Sequence, residues 1–162
     1  MNEANSTPDI RRDLVALLPR LRRFALTLTA SATDADDLVR QVCSRAINKS
    51  QHWKGEGRIE SWLFGMLRST WAEDAKRRRR SDASSPSVDL QAGSADAAKA
   101  SHLFLTLPEG LASSFLLVEV EGFGYKEAAS ILGLSQDVLA SHLCAARLRL
   151  AATGVETAER RA

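Results

Sequence analysis

Apolar residues recur three and four positions apart through most of this chain and never alternate over a strand length. Leu14, Leu17, Leu18, Leu21, Phe24, Ala25 and Leu28 form one such stripe. That spacing belongs to an amphipathic helix with one buried face, and several such helices must cover one another. It predicts helices over 9–30, 33–50 and 58–80, then over 96–106, 109–121, 125–132 and 136–151. Thr33 is placed to cap the second, and acids at 34, 36 and 37 complement the positive end of its dipole. The third is expected to bury Ile59, Trp62, Leu63, Met66 and Leu67 before running into Lys-Arg-Arg-Arg-Arg at 76–80.

Residues 81–95, SDASSPSVDLQAGSA, break the pattern. They hold almost no bulky apolar side chain, so they cannot offset the entropy of being ordered. The expected architecture is therefore all-α, with two small helical domains at 9–80 and 96–151, a linker at 81–95 and a tail at 152–162. A chain of 162 residues is long enough for two such cores. Within the second domain, YKEAASIL reads as a short helix, Gly133 as its left-handed stop and Ser135 as the cap of the next. Leu139, Leu143, Ala146 and Leu150 then fall on one stripe, and small Ala129 permits a close helix crossing. This is the grammar of a helix-turn-helix, which a plain helical hairpin would share.

Charge is unevenly divided. Residues 1–80 carry sixteen Lys/Arg against ten Asp/Glu, a net of +6, whereas residues 81–162 carry six against ten, a net of −4. A basic first half suits a polyanion. Residues 96–151 hold four bases and six acids, which is unfavourable for a free-standing reader of DNA.

Other classes are not supported. No apolar run approaches the roughly 20 residues that span a bilayer, and MNEANSTPDIRR has no apolar core for a signal peptide. Cys43 and Cys144 lie far apart outside any CxxC pattern and read as buried free thiols of a cytoplasmic protein. His52, His102 and His142 are too scattered for a metal site. No nucleophile–base pattern, phosphate-cradling glycine loop or paired carboxylate is present, so neither an enzyme, a cofactor nor a small-molecule substrate is expected. Gly122, Phe123 and Gly124 read as an ordinary turn.

Three stretches, in order, resemble the extracytoplasmic-function (ECF) group of bacterial sigma factors: RRFALTLTASATDADDLVRQVCSRA (22–46), GRIESWLFGMLRSTWAEDAKRRRR (57–80) and LPEGLASSFLLVEVEGFGYKEAASILGLSQDVLASHLCAARLRL (107–150). The resemblance implies two partners, core RNA polymerase and promoter DNA, with an anti-sigma factor as a third. It assigns polymerase contact to Asp36, Asp37, Arg40, Gln41 and Arg45. It assigns the −10 element to Arg68, Trp71, Lys76, Arg77, Arg78, Arg79 and Arg80, and the −35 element to Gln136, Asp137, Ser141, His142, Arg147 and Arg149. Promoter melting needs phosphate neutralisation and planar faces for unstacked bases, which the basic run and Trp71 are equipped to supply. Equally, Trp71 can pack internally and the basic run can be a solvated helix end.

The chain also departs from the family. Arg40 and Gln41 stand where a glutamine followed by an acid is usual, and Cys43 where a large apolar residue is usual. The helix at 136–150 opens with Gln136 and Asp137 and keeps only Arg147 and Arg149 as bases, whereas the family's carries several. A second reading follows from this: a sigma-like mimic that binds an anti-sigma factor without directing transcription. The alpha-proteobacterial stress response uses such a domain, fused there to a receiver domain.

Overall fold

The computed structural model describes residues 10–50, 53, 57–81 and 107–159. Among these it is helical, with no strand. Helices α1 (Ile10–Thr29), α2 (Ala32–Lys49) and α3 (Ile59–Ser81) form the first unit. The second is α4 (Glu109–Phe115) continued by a π turn (Leu116–Val120), then α5 (Tyr125–Leu132) and α6 (Gln136–Glu159). The expected helix at 96–106 and the expected linker, Ser81 apart, lie outside the described residues.

The stripe on α1 is buried as expected at Leu14, Leu17, Leu21, Phe24, Ala25 and Leu28. Leu18 is the exception: it is 38% exposed, because it lies on the same outward face as Val15. Pro19, also exposed, sits inside the helix on that side, where water can satisfy the carbonyl its missing N–H leaves unpaired. The cap of α2 is Ser31 and not Thr33; its hydroxyl accepts from the Asp34 N–H at 3.3 Å. Ala30, at φ 54°, reverses the chain one residue earlier than the composition suggests and so moves the helix start.

In α3 the buried face is rotated from the expected one. Leu63, Phe64 and Leu67 are fully buried, while Ile59, Trp62 and Met66 are half-buried. The cause is tertiary: α5 packs on α3 as well as α1 and α2 do, and Phe64 is enclosed between Phe24 of the first unit and Phe123 of the second. Fully burying each of these side chains stabilises by about 1.5–3 kcal/mol.

The helix-turn-helix grammar is realised closely. Gly133 takes the left-handed conformation at φ 67°, and the Ser135 hydroxyl accepts from the Val138 N–H at 3.2 Å. Leu139, Leu143 and Ala146 are fully buried and Leu150 half-buried. The last helix continues past the expected end, to Glu159.

The two units share one continuous apolar core. Phe64 is edge-on to Phe24 within the first unit, with centroids 5.1 Å apart, and edge-on to Phe123 of the second at 5.4 Å. The presumed turn at 122–124 is therefore a seam: Phe123 is 2% exposed, and Arg58 lies 4.8 Å over its ring. Glu121 is also buried there, bonded by Arg20 at 2.5 Å and Arg23 at 3.0 Å. No helix among the described residues is long and apolar enough to cross a membrane.

Candidate nucleic-acid interface

The basic run occupies the last turns of α3, where its positive charge complements the negative end of the helix dipole. Lys76, Arg77, Arg78, Arg79 and Arg80 are all exposed. They are not equivalent. Arg77 is bonded to Asp74 one turn back, and Arg78 reaches Asp34 on α2 at 3.6 Å. Arg78 also covers the Trp71 ring, with its guanidinium carbon 5.3 Å from the centroid. Trp71 is half-buried against the core, so the ring face expected to receive a base is already occupied by a cation. Arg68 is half-buried one turn earlier.

A different aromatic surface is open. Trp62 stacks on Trp53, with centroids 6.5 Å apart and planes 23° apart. Beside the pair lies a cleft of about 360 Å³ lined by Lys49, Ser61, Trp62, Gly65, Met66 and Ser69. The buried Trp53 Nε1 has no hydrogen-bond partner among the described residues. Sequence reasoning assigned Trp62 to the core, since its spacing matches the stripe; the short Trp53 segment that draws it outward carried no periodic signal.

Asp36, Asp37, Arg40 and Gln41 share one side of α2, as spacings of one, four and five residues require, whereas Arg45, nine residues after Asp36, lies about half a turn round from it. Asp36 pairs with Arg22 at 2.6 Å, Asp37 with Arg40 at 2.8 Å. Arg45 is drawn to α3, where it bonds the Thr70 hydroxyl and Glu73. This face thus presents mixed charges already balanced by neighbours.

On α6, Gln136, Asp137, Ser141, Arg147 and Arg149 are exposed. Two members of the expected set are committed elsewhere. Arg147 is bonded to Glu119 of the π turn, and that carboxylate holds its guanidinium more firmly protonated than usual. His142 is half-buried and turned inward: its Nδ1 lies 3.1 Å from the buried Ser114 hydroxyl, which itself donates to the Gly110 carbonyl. The ring fills the space above Gly110, where a Cβ would lie 3.1 Å from it. Arg149 remains exposed, with no carboxylate partner among the described residues. The described residues contain no His/Cys/Asp/Glu group able to hold a metal ion.

Sequence reasoning missed the seam residues Arg20, Arg23, Arg58, Phe64, Glu121, Phe123 and Glu127. The unequal charge of the two halves was their one signal, and it names no residue.

Two family models match the chain in succession: the Sigma2 domain of PhyR over residues 14–68, and Sigma-70 region 4 over residues 99–150. The ECF RNA polymerase sigma factor EcfG of Rhodopseudomonas palustris is 29% identical, across 90% of this chain and 85% of that protein. Among solved structures, the sigma factor RpoE of Bartonella quintana, in complex with the anti-sigma factor NepR, is 29% identical with a TM-score of 0.71. That match covers 88% of this chain and 94% of RpoE. CnrH in complex with the cytosolic domain of CnrY shares the fold at 20% identity, with a TM-score of 0.60 and coverage of 93% and 92%.

Proposed function

Because this chain belongs to the extracytoplasmic-function group of bacterial sigma factors, we propose that it acts in the cytoplasm as an alternative sigma factor, binding core RNA polymerase and directing it to a promoter. One observation carries the reading: a region-2-like unit and a region-4-like unit follow one another on one chain, and the likeness to EcfG runs through both. The protein works by binding, and no reaction is assigned to it. An anti-sigma factor is its expected inhibitor, since RpoE of Bartonella quintana was solved with one.

In this reading residues 9–80 form the unit for polymerase and the −10 element, and residues 96–151 the unit for the −35 element. The mixed-charge face of α2 (Asp36, Asp37, Arg40, Gln41 and Arg45) meets polymerase. Arg68 and the end of α3 neutralise phosphates near −10. The cleft beside Trp62 and Lys49 has the planar wall and the cation that an unstacked base needs, which Trp71 under Arg78 does not. On α6, Gln136, Ser141 and Arg149 reach base edges and backbone, with the helix N-terminus near a phosphate.

A second reading rests on a specific observation. Arg147 is held by Glu119 and His142 by Ser114, so the DNA-facing side of α6 is poor in cationic donors. A sigma-like mimic that titrates an anti-sigma factor would tolerate that loss. Run-off transcription with core RNA polymerase on a promoter library separates the two. Transcripts that depend on this protein establish the sigma factor; their absence, with tight binding to an anti-sigma factor retained, establishes the mimic.

A further inference from the structure

From Gln136 to Ala146 the last helix carries no lysine or arginine, so side-chain charge cannot draw its first half onto DNA. Gln136 and Ser141, uncharged and exposed, must read base edges by hydrogen bonds alone. Such bonds hold over about half an ångström of distance. A side-chain tip lies about 5–6 Å from a helix axis, so rolling α6 by about 20° would move it about 2 Å. Reading by short, uncharged side chains therefore needs a helix that cannot roll.

The apolar stripe of Leu139, Leu143, Ala146 and Leu150 does not forbid rolling, because apolar burial has no direction of its own. A hydrogen bond does. The Ser114 hydroxyl, fully buried on α4, donates to the Gly110 carbonyl at 2.7 Å. Its one hydrogen is thus committed, so its oxygen accepts from the Nδ1–H of His142 at 3.1 Å. Rolling α6 would pull a half-buried imidazole N–H off its buried acceptor, a penalty that apolar contacts lack. The ring edge also rests over Gly110, where a Cβ would lie 3.1 Å from Cε1, so glycine makes room for it. At about 100° per residue, His142 lies about 70° to one side of the stripe's centre and Arg147, bonded to Glu119, about 70° to the other. The two contacts bracket the stripe, and the one on buried Ser114 is the less screened by water.

We infer that His142 is a positioning residue for promoter recognition: its hydrogen bond to Ser114 fixes the rotation at which α6 presents Gln136 and Ser141 to the −35 element. The inference rests on the sigma-factor reading. In this role His142 touches no base, although the family resemblance places it on the DNA face. A helix that reads DNA through long cationic side chains tolerates misplacement, because those side chains are flexible and charge acts at a distance. The first half of α6 has no such reserve, and a fixed rotation takes its place.

The test uses holoenzyme made with the full chain and a promoter fragment recovered by run-off transcription. Discrimination is the ratio of its affinity for that fragment to its affinity for the same fragment with the −35 element replaced, read by fluorescence anisotropy. An asparagine amide falls near the ring's Nδ1 position and a glutamine amide near Nε2. His142→Asn should therefore keep the discrimination. His142→Gln and Ser114→Ala should each lose about fivefold or more of it, the worth of one base contact. Gly110→Ala favours the helix yet crowds the ring, so discrimination should fall while the melting temperature holds or rises. The opposite pattern, with His142→Gln functional and His142→Asn not, makes His142 a direct base contact and overturns the positioning role. Discrimination that merely follows melting temperature across the four variants also overturns it. In the free chain, histidine-selective nitrogen NMR spectra should show neutral His142 with its proton on Nδ1, and a proton on Nε2 overturns the proposal without any DNA. A chain with the expected tautomer that engages no promoter overturns the sigma-factor reading instead.

Discussion

The guanidinium of Arg147, near the middle of α6, is bonded to the carboxylate of Glu119, 28 residues earlier in the π turn. One of the two bases that the last helix offers to DNA is thus neutralised from within its own unit.

Freeing that arginine should strengthen promoter binding. Glu119→Gln keeps the shape of the side chain but removes its charge. Holoenzyme carrying it is expected to bind promoter DNA more tightly, with a salt dependence steeper by about one unit of log–log slope. Adding Arg147→Ala should cancel the gain. Fluorescence anisotropy across a sodium chloride series measures both quantities, and an unchanged slope in the single variant rules out a phosphate role for Arg147.

Phe64 is expected to be the costliest single truncation in α3. It is fully buried and touches aromatic rings of both units, so Phe64→Ala should lose about 3–5 kcal/mol in urea denaturation. Trp62→Ala should cost less, because Trp62 is only half-buried beside an open cleft. Equal losses would contradict the rotated face of α3.

Replacing Arg77, Arg78 and Arg79 together with alanine should lower the salt slope of promoter binding by up to about three units. The melting temperature should barely move, since exposed ion pairs contribute about 0–1 kcal/mol each. Arg78→Ala alone is expected to account for most of any stability loss, because it gives up both Asp34 and the Trp71 ring, a contact worth about 0.5–1 kcal/mol at an exposed site.

The two cysteines should differ sharply towards iodoacetamide. Cys144 is exposed on α6, whereas Cys43 is half-buried and burial raises its pKa, leaving less of the reactive thiolate. Mass spectrometry of a labelling time course at pH 8 should find Cys144 modified first. Promoter DNA bound across α6 should slow Cys144 without slowing Cys43. Faster labelling of Cys43 would contradict its burial.

Much of this protein was determined locally. The stripe from Leu14 to Leu28 apart from Leu18, the Gly133 stop, the Ser135 cap and the Leu139–Leu143–Ala146 stripe each follow from interactions within a few residues, and each is found in place. The exposed run at 76–80 is legible for the same reason: five successive cations at a helix end stay at the surface, even where one of them pairs with Asp74 a turn back. What tertiary structure decided are choices between equally good local options. A tryptophan satisfies its apolar surface either in a core or against another ring, so only the fold could send Trp62 to Trp53 and Trp71 beneath Arg78. An exposed-looking histidine or arginine takes whichever partner arrives, and the chain that brings Ser114 to His142 and Glu119 to Arg147 is 28 residues away in both cases. The seam is the extreme instance. Glu121 and Phe123 flank Gly122 and look like part of a solvated turn, yet both are buried, because Arg20, Arg23 and Phe64 approach from about 60 to 100 residues earlier. Burial of a charge or a ring there depends on long-range partners, and no local pattern encodes where they will come from.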